Sequence, residues 1–234
     1  MGRPPEDIAT GFGEQADWFS AALGQDCPPL RVWQAQQEAQ LPSPDLFCGA
    51  IISGSWAMVT EREPWSERVA DWLRQALAQA VPLLGVCYGH QLMAHAFGGE
   101  VAYHPEGAEV GTHRVSLRAP AEDDPLLQAF PPDFAARLTH SQSVRRLPPG
   151  AHCLASSRHD AHQMVRYAPH AVSVQFHPEF SAALIAACVR RRTQAGEPGV
   201  LPRDGALALD TATPWATKVL HRFVEHSVRT PRRP

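Results

Sequence analysis

No run of the sequence approaches the ~18 consecutive apolar residues of a membrane-crossing helix. The opening Met1-Gly2-Arg3-Pro4-Pro5-Glu6-Asp7 has no apolar stretch of the kind a secretory signal carries. These two absences point to a cytoplasmic protein with no membrane partner. A basic stripe is missing as well: the formal net charge is -3, with acidic and basic residues scattered through the chain. That removes the electrostatic footprint expected of a nucleic-acid binder. The one basic cluster, Arg229 with Arg232 and Arg233, closes the chain and reads as a solvated tail.

The five cysteines, Cys27, Cys48, Cys87, Cys153 and Cys188, are odd in number, widely spaced and never arranged as CxxC. A disulfide framework and a structural zinc site are both excluded, and a reducing compartment fits. His159-Asp160-x-His162 has metal-ligand residue types but sits in a polar turn with no third or fourth ligand nearby in sequence, so no metal and no other cofactor is expected. Internal repeats are absent. Trp33, Trp56 and Trp65 lack an accompanying basic pattern and read as packing residues rather than a base-stacking platform.

What the chain does have is enough apolar material for a core. With 234 residues, 44% of them hydrophobic, it is expected to form a single domain over 1–234. The core should lie at about 44–195, with a C-terminal helical extension at about 206–230. Leu46 to Ile52 and Val81 to Val86 are short apolar runs flanked by turn residues, as buried strands are. Between them Trp65, Val69, Trp72, Leu73 and Leu77 recur at helical spacing, which predicts a helix from about Trp65 to Ala80. Strand, helix, strand implies a parallel α/β unit. A second helix is expected over His90 to Phe97, ended by Gly98-Gly99. Beyond it, Glu109 to Leu117, Ala151 to Ser156, Gln163 to Tyr167 and Ala171 to Phe176 read as an antiparallel extension of the sheet. Ser181 to Arg191 and Trp215 to Val228 read as helices around a loop containing Pro198, Gly199, Pro202 and Gly205.

The chemistry gathers at Gly85-Val86-Cys87-Tyr88-Gly89-His90-Gln91, where a buried strand passes directly into a helix. A nucleophile on such a tight turn needs small residues two positions before and after it, and Gly85 and Gly89 meet that need. At the helix start, free N–H groups and the dipole stabilise a thiolate. The amide of Tyr88 can bind an oxyanion. Taken alone, Cys87 is also compatible with an ordinary buried cysteine. A second apolar strand ends in His177-Pro178-Glu179, and residues two apart in extended chain share a face. Glu179 can therefore orient His177 while His177 faces a nucleophile. Alone that tripeptide is a plain turn; with the cysteine elbow it makes a triad.

Gly-x-Cys-x-Gly-x-Gln followed some ninety residues later by His-Pro-Glu resembles the class I glutamine amidotransferase signature, over roughly Phe47 to Phe180. Thr139-His140-Ser141-Gln142-Ser143 strengthens the similarity to stand-alone members like the amidotransferase domain of GMP synthase. The resemblance implies a three-layer, flavodoxin-like α/β fold with a central, mostly parallel mixed sheet flanked by helices. It also implies glutamine hydrolysis by Cys87, His177 and Glu179 through a γ-glutamyl thioester. By position it gives Tyr88 and Ser55 as oxyanion donors and Gly54, Gln91, His140, Ser141, Gln142 and Ser143 as substrate-binding residues.

Two departures stand out. Where relatives usually carry His-Gly-Asp, this chain has His140-Ser141-Gln142, a neutral amide in place of a carboxylate. Relatives also begin with an apolar strand that Met1-Gly2-Arg3-Pro4 does not supply, which leaves an expected unpaired sheet edge or a partly uncovered core. No phosphate-binding glycine loop follows Glu179, so an ammonia acceptor would be a separate synthetase subunit. The same thioester chemistry also suits a γ-glutamyl peptide or conjugate hydrolase. A homologue that kept the elbow for binding or regulation alone is the non-enzymatic alternative.

Overall fold

A computed structural model describes residues 1–25, 27–38, 40–197 and 205–229. Pro198, Gly199 and Pro202 of the expected C-terminal loop, and Arg232 and Arg233 of the basic tail, lie outside the described residues.

The chain opens with α1 (Glu6–Phe12) and α2 (Gln15–Leu23), then reaches β1 (Ala50–Ile52), α3 (Pro64–Ala78), β2 (Leu83–Val86) and α4 (Tyr88–Ala96). Next come β3 (Glu100–Tyr103), β4 (Glu109–Leu117), β5 (Asp133–His140), β6 (Gln142–Arg146), β7 (His152–Ser156), β8 (Met164–Ala168) and β9 (Ala171–Val174). Helices α5 (Ala182–Gln194) and α6 (Pro214–Arg229) follow. Pro64 opens α3 where a missing N–H costs nothing, and the Ser181 hydroxyl caps α5 by accepting from the Leu184 amide at 3.1 Å.

Seven strands form one sheet in the order β1-β2-β9-β8-β7-β4-β5, and β3 pairs with β6 in a separate ribbon. The architecture is the expected mixed sheet flanked by helices. Its parallel part is smaller than expected, however: β1 with β2 and β2 with β9 are parallel, and the remaining ladders are antiparallel. The reason is in the connections. Of the strands that are both consecutive in the chain and paired, only β1 and β2 have an α-helix between them, whereas β7, β8 and β9 follow one another through loops too short for a crossover.

Side chains alternate across β2. Leu83 joins Val69, Ala70, Leu73 and Ala76 of α3 with Leu92 and Met93 of α4 on one face. Leu84 and Val86 join Phe19 and Leu23 of α2 with Val219, Leu220 and Phe223 of α6 on the other. The sheet is thus covered on both sides, and burial of these two apolar layers supplies the main driving force for folding. On the outer side of β1 no strand pairs among the described residues, and a cavity of about 450 Å³ lies there, lined by Phe19, Leu30, Trp33, Ile51, Trp72 and Phe223. Among the described residues β1 is therefore an edge strand of the sheet.

Strands β5 and β6 are separated by Ser141 alone yet belong to different sheets. The chain turns a corner there, beside the end of β2.

Candidate functional site

Cys87 stands between β2 and α4 with φ 52° and ψ -103°, a left-handed backbone that is strained for a residue with a Cβ. Tight packing holds it there. A Cβ on Gly85 would meet the Gly89 carbonyl oxygen at 2.6 Å, and one on Gly89 would meet the Ile52 carbonyl oxygen at 2.1 Å. Cys87 N–H donates to the Val174 carbonyl at 2.9 Å, which fixes the turn against the end of β9. The side chain of Tyr88 turns away: its hydroxyl meets Ser66 Oγ at 2.6 Å and its ring stacks on Trp65. What Tyr88 can offer the site is its amide, one of the unpaired donors at a helix start.

His177 follows β9. Its amide donates to the Arg137 carbonyl at 2.8 Å, its ring stacks on Phe180, and its Nδ1 lies 2.7 Å from Glu179 Oε1. Glu179 and His177 are both buried, as is Cys87. Burial alone would raise the Cys87 thiol, but the His177 cation outweighs it and, with help from His140, holds the thiol below its ordinary range. Burial likewise opposes charge on His177, yet Glu179 and then the Cys87 thiolate lift its pKa to about 10. Each group thus favours the charged form of the other, which biases the pair toward thiolate with imidazolium.

A cavity of about 480 Å³ opens over this pair, lined by Gly54, Ser55, Tyr88, Gln91, His140, Ser141 and Gln142 beside Cys87, His177 and Glu179. The structure thus brings together every site residue expected from the sequence except Ser143, which is fully buried on β6 and does not line the cavity. Gly54 leaves the room that the His177 ring occupies, since a Cβ there would sit 3.2 Å from Cε1. Ser55 Oγ accepts from the Ala57 amide and so stabilises the loop after β1.

The polar loop is less available to a ligand than the sequence implied. Gln142 Nε2 donates to Thr60 Oγ1 at 2.6 Å, so that side chain is tied to the loop before α3. Gln91 Nε2 donates to the Gln142 carbonyl at 2.7 Å and to Gln175 Oε1 at 2.9 Å. His140 lies 3.0 Å from Glu109 Oε2, which also accepts from Gln163 Nε2 at 2.7 Å. Burial disfavours charge on His140, but its bond and attraction to Glu109 raise its pKa overall, and its charged form helps to lower the thiol. Sequence reasoning does not single out Glu109. It lies thirty-one positions from His140, and only the β4–β5 pairing, with Glu109 opposite His140, joins them.

The histidines of the His159-Asp160-x-His162 turn are used on backbone. His159 Nε2 lies 3.1 Å from the Gly107 carbonyl, and His162 Nδ1 lies 2.7 Å from the Val144 carbonyl. Among the described residues no group of three or more His, Cys, Asp or Glu side chains is placed to hold a metal, and no helix is long and apolar enough to cross a membrane.

Comparison with known proteins gives a consistent result. The chain is 34% identical over 143 residues to the glutamine-hydrolysing GMP synthase of Thermomicrobium roseum, covering 61% of this chain but 25% of that synthase. It is 32% identical over 132 residues to one subunit of the glutamine-hydrolysing GMP synthase of Methanocaldococcus jannaschii, covering 56% of this chain and 64% of that subunit. It is 26% identical over 153 residues to gamma-glutamyl peptidase 3 of Arabidopsis thaliana, covering 63% and 60%. The chain spans a quarter to about half the length of several of the GMP synthases and synthase subunits it matches. In fold it resembles a glutamine amidotransferase of Methylobacillus flagellatus, with a TM-score of 0.68 at 24% identity over 94% of this chain and 87% of that one. Residues 29–186, more than half of the chain, match the family described as glutamine amidotransferase class-I, and the chain belongs to that family.

Proposed function

We propose that the chain hydrolyses the γ-amide of L-glutamine to glutamate and ammonia, with Cys87 as nucleophile, His177 as general acid and base, and Glu179 as the group that orients His177. The observation that carries this reading is the buried His177, held by Glu179 at 2.7 Å and stabilising a thiolate at the start of α4. The Cys87 sulfur attacks the amide carbon, and the amides of Tyr88 and Ser55 receive the negative charge that develops on oxygen. As the C–N bond breaks, His177 gives its proton to the departing nitrogen and ammonia leaves. Water then attacks the thioester, its proton passes to His177, the C–S bond breaks and glutamate is released. Gly54, Gln91 and the 140–143 segment shape the pocket around the γ-glutamyl group. An ammonia acceptor would be a separate synthetase, in keeping with relatives that are named as one subunit of a GMP synthase. A reducing cytoplasm suits a thiolate nucleophile, and the described cysteines are all free.

Cleavage of γ-glutamyl peptides or conjugates is the second reading. The cavity, about 480 Å³, is roomier than glutamine alone requires, and one relative is named a gamma-glutamyl peptidase. Ammonia and glutamate release from glutamine and from a γ-glutamyl dipeptide, by the chain and by Cys87→Ala, tests both. Glutamine turnover lost in Cys87→Ala is the expected result. Turnover of the dipeptide alone would move the assignment to the hydrolase. A folded protein that turns over neither would leave a binding or regulatory role.

A further inference from the structure

The cavity has a charged wall that the triad does not use. Helix α5 ends with Arg191 and Arg192, and both line the rim. Arg191 is paired with Asp7 at an exposed position. Arg192 is held more firmly, with its side chain only 15% exposed. Its Nη1 donates to Thr139 Oγ1 at 3.1 Å, its Nη2 donates to Ser141 Oγ, and its Nε–H is buried without a hydrogen-bond partner. The Thr139 carbonyl faces Cys87 Sγ at 4.0 Å, so the guanidinium sits one side chain away from the thiol. Its remaining partner is Glu197, whose Oε2 lies 2.7 Å from Nη2 and whose side chain is 42% exposed.

Of the other polar side chains expected to bind substrate, three are committed to protein partners. His140 serves Glu109, Gln142 serves Thr60, and Gln91 serves Gln175. A guanidinium has five N–H donors in a fixed fork suited to a carboxylate, and Arg192 has not filled them. Beside it stands a carboxylate exposed enough to change partners. One cation and one anion at the rim, a side chain's length from the nucleophile, match the two charges of a free amino-acid end.

We propose that Arg192 binds the α-carboxylate of the substrate's γ-glutamyl group and Glu197 its α-ammonium. The substrates are then γ-glutamyl compounds with a free amino-acid end, and glutamine within a peptide chain is excluded. Glu197 is paired with the guanidinium; when substrate enters, the substrate carboxylate takes that place and Glu197 turns to the ammonium. An internal glutamine offers neither charge and would leave the pair facing neutral amides, the kind of mismatch that gives strong discrimination. This assignment rests on the proposed reading of the same site as one that holds a γ-glutamyl group.

Calorimetry on Cys87→Ala, which binds without turnover, tests it. L-glutamine is compared with L-glutaminamide, which lacks the carboxylate, and with glutaric acid monoamide, which lacks the ammonium. Adding Arg192→Met should weaken L-glutamine at least tenfold and leave L-glutaminamide nearly unchanged; Arg192→Lys should fall between. Glu197→Gln should weaken L-glutamine but not the monoamide, and it keeps the test open if Arg192→Met does not fold. Equal losses for glutamine and glutaminamide, or no loss for glutamine, would overturn the assignment, as would a folded Cys87→Ala protein that binds no glutamine. Binding that follows this pattern in a chain whose wild type releases no ammonia would sink the glutaminase reading and spare this one. Turnover with binding indifferent to Arg192 would do the reverse.

Discussion

A buried thiol beside an imidazole can exist as a neutral pair or as an ion pair, and the charges around Cys87 favour the ion pair. Glu179 is the largest influence raising His177, and His177 the largest influence lowering Cys87. The thiolate therefore forms as pH rises through a value below the ordinary thiol range, and the imidazolium is lost as pH rises through about 10. A plot of kcat/KM against pH should be flat between these limits. In Glu179→Gln the alkaline limb should move to lower pH, because the charge that stabilises the imidazolium is gone, and the rate should drop about 10²-fold or more with the loss of orientation. An unmoved alkaline limb would show that Glu179 does not set the His177 charge. At this scale the elbow is legible in the sequence because Gly85, Cys87 and Gly89 lie within five positions. Arg192, Glu197 and Glu109 are not, because they come from α5, the turn after it and the start of β4, and only tertiary packing collects them.

Among the elements, those with apolar and turn residues in clear periods are legible to within one or two residues of their ends: α3, β2, α4, β4, β7, β8, β9 and α6. Strand β5 is hidden because Asp-Phe-Ala-Ala-Arg-Leu-Thr-His is poor in β-branched residues and carries Arg137 in its middle. Arg137 is nevertheless buried, donating to the Phe180 carbonyl at 2.8 Å and to Thr213 Oγ1 at the start of α6. Helices α1 and α2 are hidden too. The apolar face of α2, Trp18, Phe19 and Leu23, is short, and its role shows only against α5 and α6. The contact between α4 and β1 gives a prediction at this scale. In Gly89→Ala the new Cβ would lie 2.1 Å from the Ile52 carbonyl oxygen, so the helix and the strand must part. The expected destabilisation is about 2 kcal/mol or more, read as a lower midpoint in thermal or urea unfolding. An unchanged midpoint would mean that the elbow does not depend on this approach.

For the molecule as a whole, the mixed sheet divides the work. The parallel strands β2 and β9 deliver Cys87 and His177, the proposed nucleophile and its histidine, and the corner at Ser141, where β5 leaves the large sheet and β6 joins the small one, shapes the pocket wall. One contributor is held less well. Among the described residues strand β1 pairs on one side only, through three residues, beside a cavity of about 450 Å³, and Ser53-Gly54-Ser55 follow it directly. Strands with few pairing partners open at lower free-energy cost than the centre of a sheet. On gentle heating, glutamine turnover should therefore disappear several degrees below the main unfolding transition, while Cys87 still reacts rapidly with iodoacetamide. Parallel activity, circular dichroism and alkylation measurements would show it, and coincident curves would refute it. The enzyme's working temperature would then be set by three edge residues that carry no catalytic group, and bracing that edge would widen the range over which the site functions without altering its chemistry.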